Sequence, residues 1–330
     1  MMRIGVFFDG FTSTSEMLDV ARRAEAAGAH SLWFAQHMGY RDAIVWAAAA
    51  ANATQTIALV PTAISPYLWP PLPIAMAMGT LNEMAPGRVA LAVGVGNLLN
   101  LGESGAEPVA PVRVVREYVE TLRALHDGKV VHSDGRVHKL RGAKMVFDAG
   151  PRYPLYVAST GPQMLKLAGE IGDGVLLSAG LTLASCRDCL AHVDAGVAAA
   201  GRDKATLRRA SFINFRASRD GEAAKTAVLR KLAFLFRNRG HADNIKSSGL
   251  AIDHDKIIQC LAAHDLDAAT RLMPMAAANV FAVAGTPAEC SARLADYLSA
   301  GLDEAIIEVT GTAEERALAL DVVRDVAGRG

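Results

Sequence analysis

The sequence predicts an α/β fold, a (β/α)8 TIM barrel with insertions after the fourth and the seventh strand. Three observations carry this. Short apolar runs alternate with helix-like stretches along the 330 residues, and eight such pairs can be counted. Most runs are apolar at nearly every position, as strands must be when one face meets inner side chains and the other meets helices. The competing doubly wound sheet needs a glycine-rich phosphate loop after the first strand, and that loop reads FDGFTSTS, without G-x-G-x-x-G.

The elements follow in order. Residues 3–8 read as the first strand, and 15–27 as a helix with Ser or Thr at its cap and Gly28 at its end. Residues 31–35 are the second strand and 42–53 its helix; 56–64 are the third strand and 71–84 its helix. Residues 88–95 form the fourth strand. The alternation then pauses over 96–153, which holds a helix at 112–126 and a hairpin, GKVVHSDGRVHKL, with Asp134-Gly135 as its turn. It resumes at 155–158, where a strand meets the polar knot Ser159-Thr160-Gly161-Pro162. Met164, Leu165, Ala168 and Ile171 then mark one helix face. The sixth strand is 175–177, followed by a helix at 183–200; the seventh strand is 208–217, followed by a helix at 221–239. A second excursion, 240–279, holds helical patches near 255–264 and 268–272. The helix 286–300, the eighth strand 305–309 and the helix 313–326 close the chain. The whole chain, 1–330, is expected to be one domain, with both excursions on the side where barrel enzymes build lids and sites.

Composition narrows the function. Hydrophobic residues make up 51% of the chain, and 34 Lys plus Arg balance 34 Asp plus Glu. No basic stripe suggests nucleic acid and no charge block suggests a disordered tail, so the expected partner is a small molecule or another protein. The opening MMRIGVFFDG reads as a strand and not as a signal peptide, and no apolar run reaches the roughly 18 residues of a membrane helix. A cytoplasmic protein is expected. Cys186 and Cys189 form a C-x-x-C with no second pair to complete a zinc site, so they read as one turn of a helix.

In a barrel, function gathers at the C-terminal ends of the strands. Gln36, His37, Tyr40 and Arg41 follow the second strand; Ala63, Ile64, Ser65, Tyr67 and Trp69 follow the third; Val95, Gly96, Asn97 and Glu103 follow the fourth; Ser178 follows the sixth. The turn of residues 159–163 opens a helix, whose free N–H groups and dipole attract anions. Pro162 suits the first helical turn, and Gly161 lets a ligand reach the backbone. A phosphate would fit, and so would an ordinary helix cap. No H-x-H or H-E-x-x-H supplies a metal site, and no strand-end lysine supplies a Schiff base.

The segments SLWFAQHMGYRDA, LVPTAISPYLWPPLPIAMAMGTLNEMAPGRVALAVGVGN, LYVASTGPQMLKLAGEIGDGVLLSAG and VAGTPAECSARLADYLSAGLDEAII resemble the luciferase-like superfamily of flavin- and deazaflavin-dependent barrels. The resemblance is greatest to its methylenetetrahydromethanopterin reductase branch. It implies an oxidoreductase that passes a hydride between a deazaflavin (coenzyme F420-type) and a small organic substrate. An FMN-dependent monooxygenase and a non-catalytic flavin-binding protein are the alternatives. It implies a catalytic pair Gln36-His37, with an amide where such proteins carry an acid, and a cis bond at Ala63-Ile64 behind the ring. It further implies a cofactor site built from Ala63, Ile64, Ser65, Val95, Gly96, Asn97, Ser159, Thr160, Gly161, Pro162, Gln163 and Ser178, with Tyr67 and Trp69 towards the substrate. No metal and no nucleic acid are expected, and a homodimer is.

Overall fold

Strands buried on both faces can hold a closed ring, because inner side chains and outer helices remove both from water. The computed structural model describes residues 2–329, with backbone alone for 98–100. Its core strands are β1 (Arg3–Phe8), β2 (Ser31–Ala35), β3 (Ala58–Thr62), β4 (Leu91–Gly94), β7 (Leu155–Ala158), β8 (Gly174–Leu177), β9 (Arg208–Ile213) and β12 (Glu304–Glu308). They form one eight-stranded sheet in the order β3-β2-β1-β12-β9-β8-β7-β4, with every pairing parallel. Bridges Leu59↔Val89 and Ile64↔Val93 join β3 to the β4 side and close the barrel.

The pleat sorts the side chains. Trp33, Val60, Ala92, Tyr156, Leu176, Ala210 and Ile306 point inward and fill the barrel. Ile4, Val6, Leu32, Phe34 and Leu59 point outward into the larger core beneath the helices. At the floor Glu304 is fully enclosed, accepting hydrogen bonds from Ser31 and from Trp33 Nε1; burial raises its carboxyl above the usual range. Gly5 lies against this cluster. A Cβ there would come within 2.6 Å of Glu304 Oε1 and 2.7 Å of Ser31 Oγ, so no side chain fits.

The outer helices are α1 (Thr14–Ala26), α2 (Ala43–Ala53), α3 (Pro71–Met84), α5 (Pro111–His126), α6 (Pro162–Ile171), α7 (Leu183–Ala199), α8 (Gly221–Leu235), α13 (Pro287–Ser299) and α14 (Ala313–Gly328). Capping fixes their starts: Ser13, Asp42, Thr182 and Asp220 each accept first-turn N–H groups, and Thr286/Glu289 and Thr312/Glu315 form capping boxes. Cys186 and Cys189 are buried on α7, where burial pushes their thiols up to about 12 and about 11. Among the described residues no group of side chains could hold a metal ion, and no helix is long and apolar enough to cross a membrane.

The excursions differ in kind. After β4 come α4 (Leu98–Glu103), α5 and the hairpin β5 (Val131–Asp134) with β6 (Lys139–Ala143). The hairpin pairs Asp134 with Lys139, so residues 135–138 make the connection and not Asp134-Gly135 alone. A Cβ on Gly135 would approach the His138 carbonyl to 2.8 Å, which keeps that wider turn tight. The second excursion holds α9 (Ala242–Ser247), α10 (His254–Ala262), α11 (Leu266–Arg271) and α12 (Ala276–Phe281). With α8 they enclose a second hydrophobic core around Phe236, Ile257, Ala277 and Phe281. Two short parallel strands, β10 (Phe215–Ala217) and β11 (Val283–Gly285), tether it. The seventh strand therefore breaks at Asn214, whose carbonyl accepts the Val283 N–H at 2.8 Å, as the chain leaves β12 for β11. The helix expected to reach residue 239 stops at Leu235. Phe236 turns into the second core there, and Asn238 accepts the Gly240 N–H to start the next turn.

Candidate functional site

The C-terminal ends of the eight strands form the barrel mouth. On the β2 side, Gln36 is tied down at both ends of its amide. Its Oε1 accepts the Ala43 N–H at 2.7 Å, and its Nε2 donates to Asp42 Oδ2 at 3.1 Å. Asp42 Oδ1 meanwhile accepts the N–H groups of Ile44 and Val45 at 2.9 and 3.0 Å. The start of α2 is thus fully capped, and an amide suits position 36 because a carboxylate would face Asp42. His37, next in the chain, is half-buried. Burial holds its imidazole below the usual range, the nearby Arg237 guanidinium adds to this, and Asp9 opposes it. Tyr40 stands edge-on to the His37 ring at 5.7 Å and to Phe11 at 4.7 Å. Phe11 and Tyr40 remain 63% and 43% exposed, a large apolar edge around one histidine.

On the β3 and β4 side the structure corrects one expectation. The cis peptide lies between Thr62 and Ala63, one bond before Ala63-Ile64. Pairing explains the place. Thr62 still serves β2, its carbonyl accepting the Gln36 N–H at 2.6 Å, while Ile64 already pairs with β4, its N–H reaching the Ala92 carbonyl at 2.9 Å. The chain changes partner across Ala63. Ile64 consequently buries its side chain in the outer core and offers a ligand only backbone. Trp69, half-buried, packs on that core, and the half-buried Tyr67 donates its hydroxyl to the Val109 carbonyl at 2.8 Å. Ser65 is buried and donates to the Val95 carbonyl at 2.6 Å. Gly96 has φ +97°, and a Cβ on it would sit 3.3 Å from Ser65. Val95 and Asn97 flank it, both half-buried; the Asn97 carbonyl accepts the Leu101 N–H at 3.0 Å.

Between these strands lies a shelf of small residues. A Cβ on Gly94 would stand 3.2 Å from the Ala158 Cβ and 3.4 Å from the Ala63 Cβ, so the three make a flat wall. Thr62 shares the inward face of β3 with Val60. Its hydroxyl is buried with no hydrogen-bond partner.

The turn after β7 has the opposite character to the start of α2. Gly161 is the N-cap of α6, Pro162 follows, and no side chain caps the first turn. Ser159 Oγ accepts the Gly161 N–H at 3.0 Å, which shapes the loop without serving the helix. Gly161 has φ −81° and ψ 136°, open to any residue, and a Cβ would meet nothing nearer than Ser159 Oγ at 3.8 Å. Nothing in the fold demands glycine there. Gly161, Pro162 and Gln163 are exposed, and Ser159, Thr160 and Ser178 at the end of β8 are half-buried. Helix α6 is pressed onto α7, with a Cβ on Gly169 only 2.0 Å from the Val193 carbonyl, so the turn is rigidly held.

Three charged features were not foreseen. Asp9 ends β1 and accepts the Phe11 N–H at 2.9 Å. Glu308 ends β12, nearly buried, in an ion pair with Lys231 of α8. Arg237 follows α8, its guanidinium 3.7 Å over the Phe234 ring and one N–H donated to the Phe234 carbonyl at 2.7 Å. Strand-end position would have found Asp9. Lys231 lies on α8 and Arg237 just beyond its end, both before the second excursion begins.

The arrangement suits a flat, anionic cofactor. The shelf of Ala63, Gly94 and Ala158 fits a planar ring, the orphaned Thr62 hydroxyl lacks only a polar neighbour, and the uncapped α6 start fits a phosphate.

Comparison with known proteins gives the same direction. A 5,10-methylenetetrahydromethanopterin reductase of Archaeoglobus fulgidus is 28% identical over 310 residues, 92% of each chain. An F420-dependent glucose-6-phosphate dehydrogenase of Nocardia farcinica is 29% identical over 330 residues, 95% of this chain and 93% of its own. The solved coenzyme F420 dependent tetrahydromethanopterin reductase from Methanopyrus kandleri shares the fold with a TM-score of 0.89 at 22% identity, across 98% of this chain and 97% of its own. The model of the luciferase-like monooxygenase family matches residues 2–304, and the chain belongs to that family.

Proposed function

We propose that the protein is an oxidoreductase that moves a hydride between a deazaflavin cofactor of the F420 type and a small organic substrate. The observation that carries this reading is the uncapped start of α6 beside the small-residue shelf. Its named relatives include an F420-dependent dehydrogenase and a reductase whose solved counterpart is F420-dependent. The residues of 159–163 would hold the phosphate through the first-turn N–H groups of α6. Ala63, Gly94 and Ala158 would back the ring, with Gly96 leaving room beside it. The bound cofactor supplies or accepts the hydride.

His37 is the group for the proton. Its depressed affinity leaves the imidazole neutral at pH 7. A neutral imidazole can hydrogen-bond a carbonyl, or take the hydroxyl proton as a hydride leaves the adjacent carbon. Gln36 acts through the backbone, fixing the turn that carries His37. FMN is the alternative occupant, because it shares a three-ring head and a phosphate. We also propose a homodimer, for which the uncharged α2 and the exposed Val45 and Met76 supply an apolar outer face.

Titration of the purified protein with F420 and, separately, FMN, read by fluorescence quenching, tests the reading. Tight quenching of F420 is expected, and bleaching of the complex by a reductant substrate establishes turnover. Quenching of neither chromophore sinks the proposal. A coloured complex that no donor bleaches would make the protein a binder without turnover.

A further inference from the structure

Among the described residues two arginines of the mouth pair with no acid: Arg41, which is exposed and donates to the Gly10 and Phe11 carbonyls, both at 3.0 Å, and Arg237, which is half-buried and stands out for that reason. Three carboxylates stand there. Glu308 is taken by Lys231, Asp42 by Gln36 and the first N–H groups of α2, and Asp9 accepts the Phe11 N–H. Among the described residues no acid pairs with Arg237, and its one hydrogen bond goes to the Phe234 carbonyl. A half-buried guanidinium without a counter-ion is costly, and the negative end of the α8 dipole offsets only part of the cost. Its position is firmly set: Phe236, the residue before it, is buried in the second core with Phe281 at 5.0 Å. Around it stand exposed aromatics. Phe234 lies beneath the guanidinium at 42% exposure, Tyr40 is near enough to act on its charge, and Phe11 stands edge-on to Tyr40.

We infer that Arg237 is a specificity-determining residue. It holds the anionic group, carboxylate or phosphate, of a substrate whose apolar body covers Phe11, Tyr40 and Phe234, and so presents the reacting carbon to His37. The inference rests on the reading of the mouth as a hydride-transfer site, and it names that site's substrate class. The shared chemistry of the ligand is an anion, and its source is the substrate and not the cofactor. The phosphate of the cofactor has its own seat at α6, across the barrel.

The test uses the full-length protein loaded with F420. Inorganic phosphate is titrated in while the ring resonance of His37 is followed by NMR. Saturable binding is expected, and the apparent pKa of His37 should rise, because the bound anion cancels the Arg237 field. The groups that set that pKa are Asp9, Arg237 and burial. In Arg237→Gln the pKa should already be raised without phosphate. Phosphate affinity should fall at least tenfold, and F420 affinity should stay within twofold. Arg237→Lys, which keeps the charge, should retain part of the phosphate response and guards against a glutamine variant that does not fold.

Unchanged phosphate affinity in Arg237→Gln with F420 still bound overturns the inference and leaves the cofactor reading standing. Loss of F420 affinity with the phosphate response intact also overturns it, since the anion would then be the cofactor's. A fall in thermal stability alone would make Arg237 a helix cap and nothing more. Failure of the cofactor reading shows separately, as absent F420 binding before any phosphate is added.

Discussion

Two helix starts face each other across the mouth, and their chemistry is opposite. At α2, Asp42 and Gln36 satisfy the N–H groups of Ala43, Ile44 and Val45, leaving none for a ligand. At α6, a glycine that the backbone does not require is followed by proline, and no side chain caps the turn. A helix start costs stability when its donors go unpaired; α3 and α5 also begin with proline and no side-chain cap, so the open turn marks a site at α6 only together with the small-residue shelf beside it. The contrast teaches that unmet demand, and not residue type alone, marks the anion site. The capped start, in turn, makes a rigid platform for His37.

Four substitutions break or sharpen this contrast. The largest effect belongs to the platform's product. His37→Ala should lower turnover by roughly 10²–10⁴ while cofactor affinity stays within a few fold. Normal turnover by this variant would sink the assignment. The pH profile checks the same point. As a base with a folded pKa below 6.5, His37 should keep the oxidation rate level above about pH 6.5. The rate should fall only as the pH drops through the lowered value.

Next comes Gly161→Asp, which should raise the cofactor dissociation constant at least tenfold, about 1.4 kcal/mol. The same change installs a good N-cap, so the urea midpoint should hold or rise slightly. Affinity and stability moving in opposite directions is the signature of an open site; unaltered affinity would move the phosphate elsewhere. Asp42→Ala should do the reverse, costing about 1 kcal/mol of stability with little loss of cofactor affinity. Equilibrium unfolding and the fluorescence titration, run on both variants, give the comparison directly.

The smallest effect is expected for Gln36→Glu. A carboxylate there would still accept the Ala43 N–H but would face Asp42 Oδ2, now 3.1 Å from the amide nitrogen. A loss below about 1 kcal/mol, shrinking at low pH as one carboxyl protonates, is the expected outcome. A gain in turnover would mean that an acid at position 36 reaches substrate despite the cap.

Most of the fold was legible because the barrel strands are short, mostly apolar runs, with polar residues such as Ser31, Thr62 and Glu304 mostly at their ends. Leu91–Gly94 and Gly174–Leu177 are buried at every position, and so they read plainly. Phe215–Ala217 was read as the end of the seventh strand, but its break at Asn214 and its partner Val283–Gly285 were not foreseen, since three residues carry no period and the pair forms only in the fold. Within the site, His37 and residues 159–163 could be read from their place after strands. Their cap states could not, because Asp42 lies six residues beyond Gln36 and its bond depends on the path of the loop. The packing of Trp69 could not be read from its place after the third strand, because it depends on α3 beginning at once and setting it half-buried against the outer core. Arg237 gave no signal at all. It lies just past α8 and acts on the charge of His37, which follows β2, and sequence distance conceals such an influence.

The second hydrophobic core around Phe236, Ile257 and Phe281 also bears on inheritance. A segment that buries its own apolar surface, and joins the barrel through one pair of three-residue strands and a few polar links such as Lys231–Glu308 and the Asn244 bonds to Gly180 and Thr182, can be exchanged where those links are kept. Recombination breakpoints near Asn214 and Val283 fall at that seam, where the Asn214 carbonyl and the Val283 N–H are the shared backbone link. A chimera cut there would receive Lys231 and Arg237 from one parent and the α6 turn from the other. Substrate preference and cofactor affinity would then descend from different ancestors in a single chain.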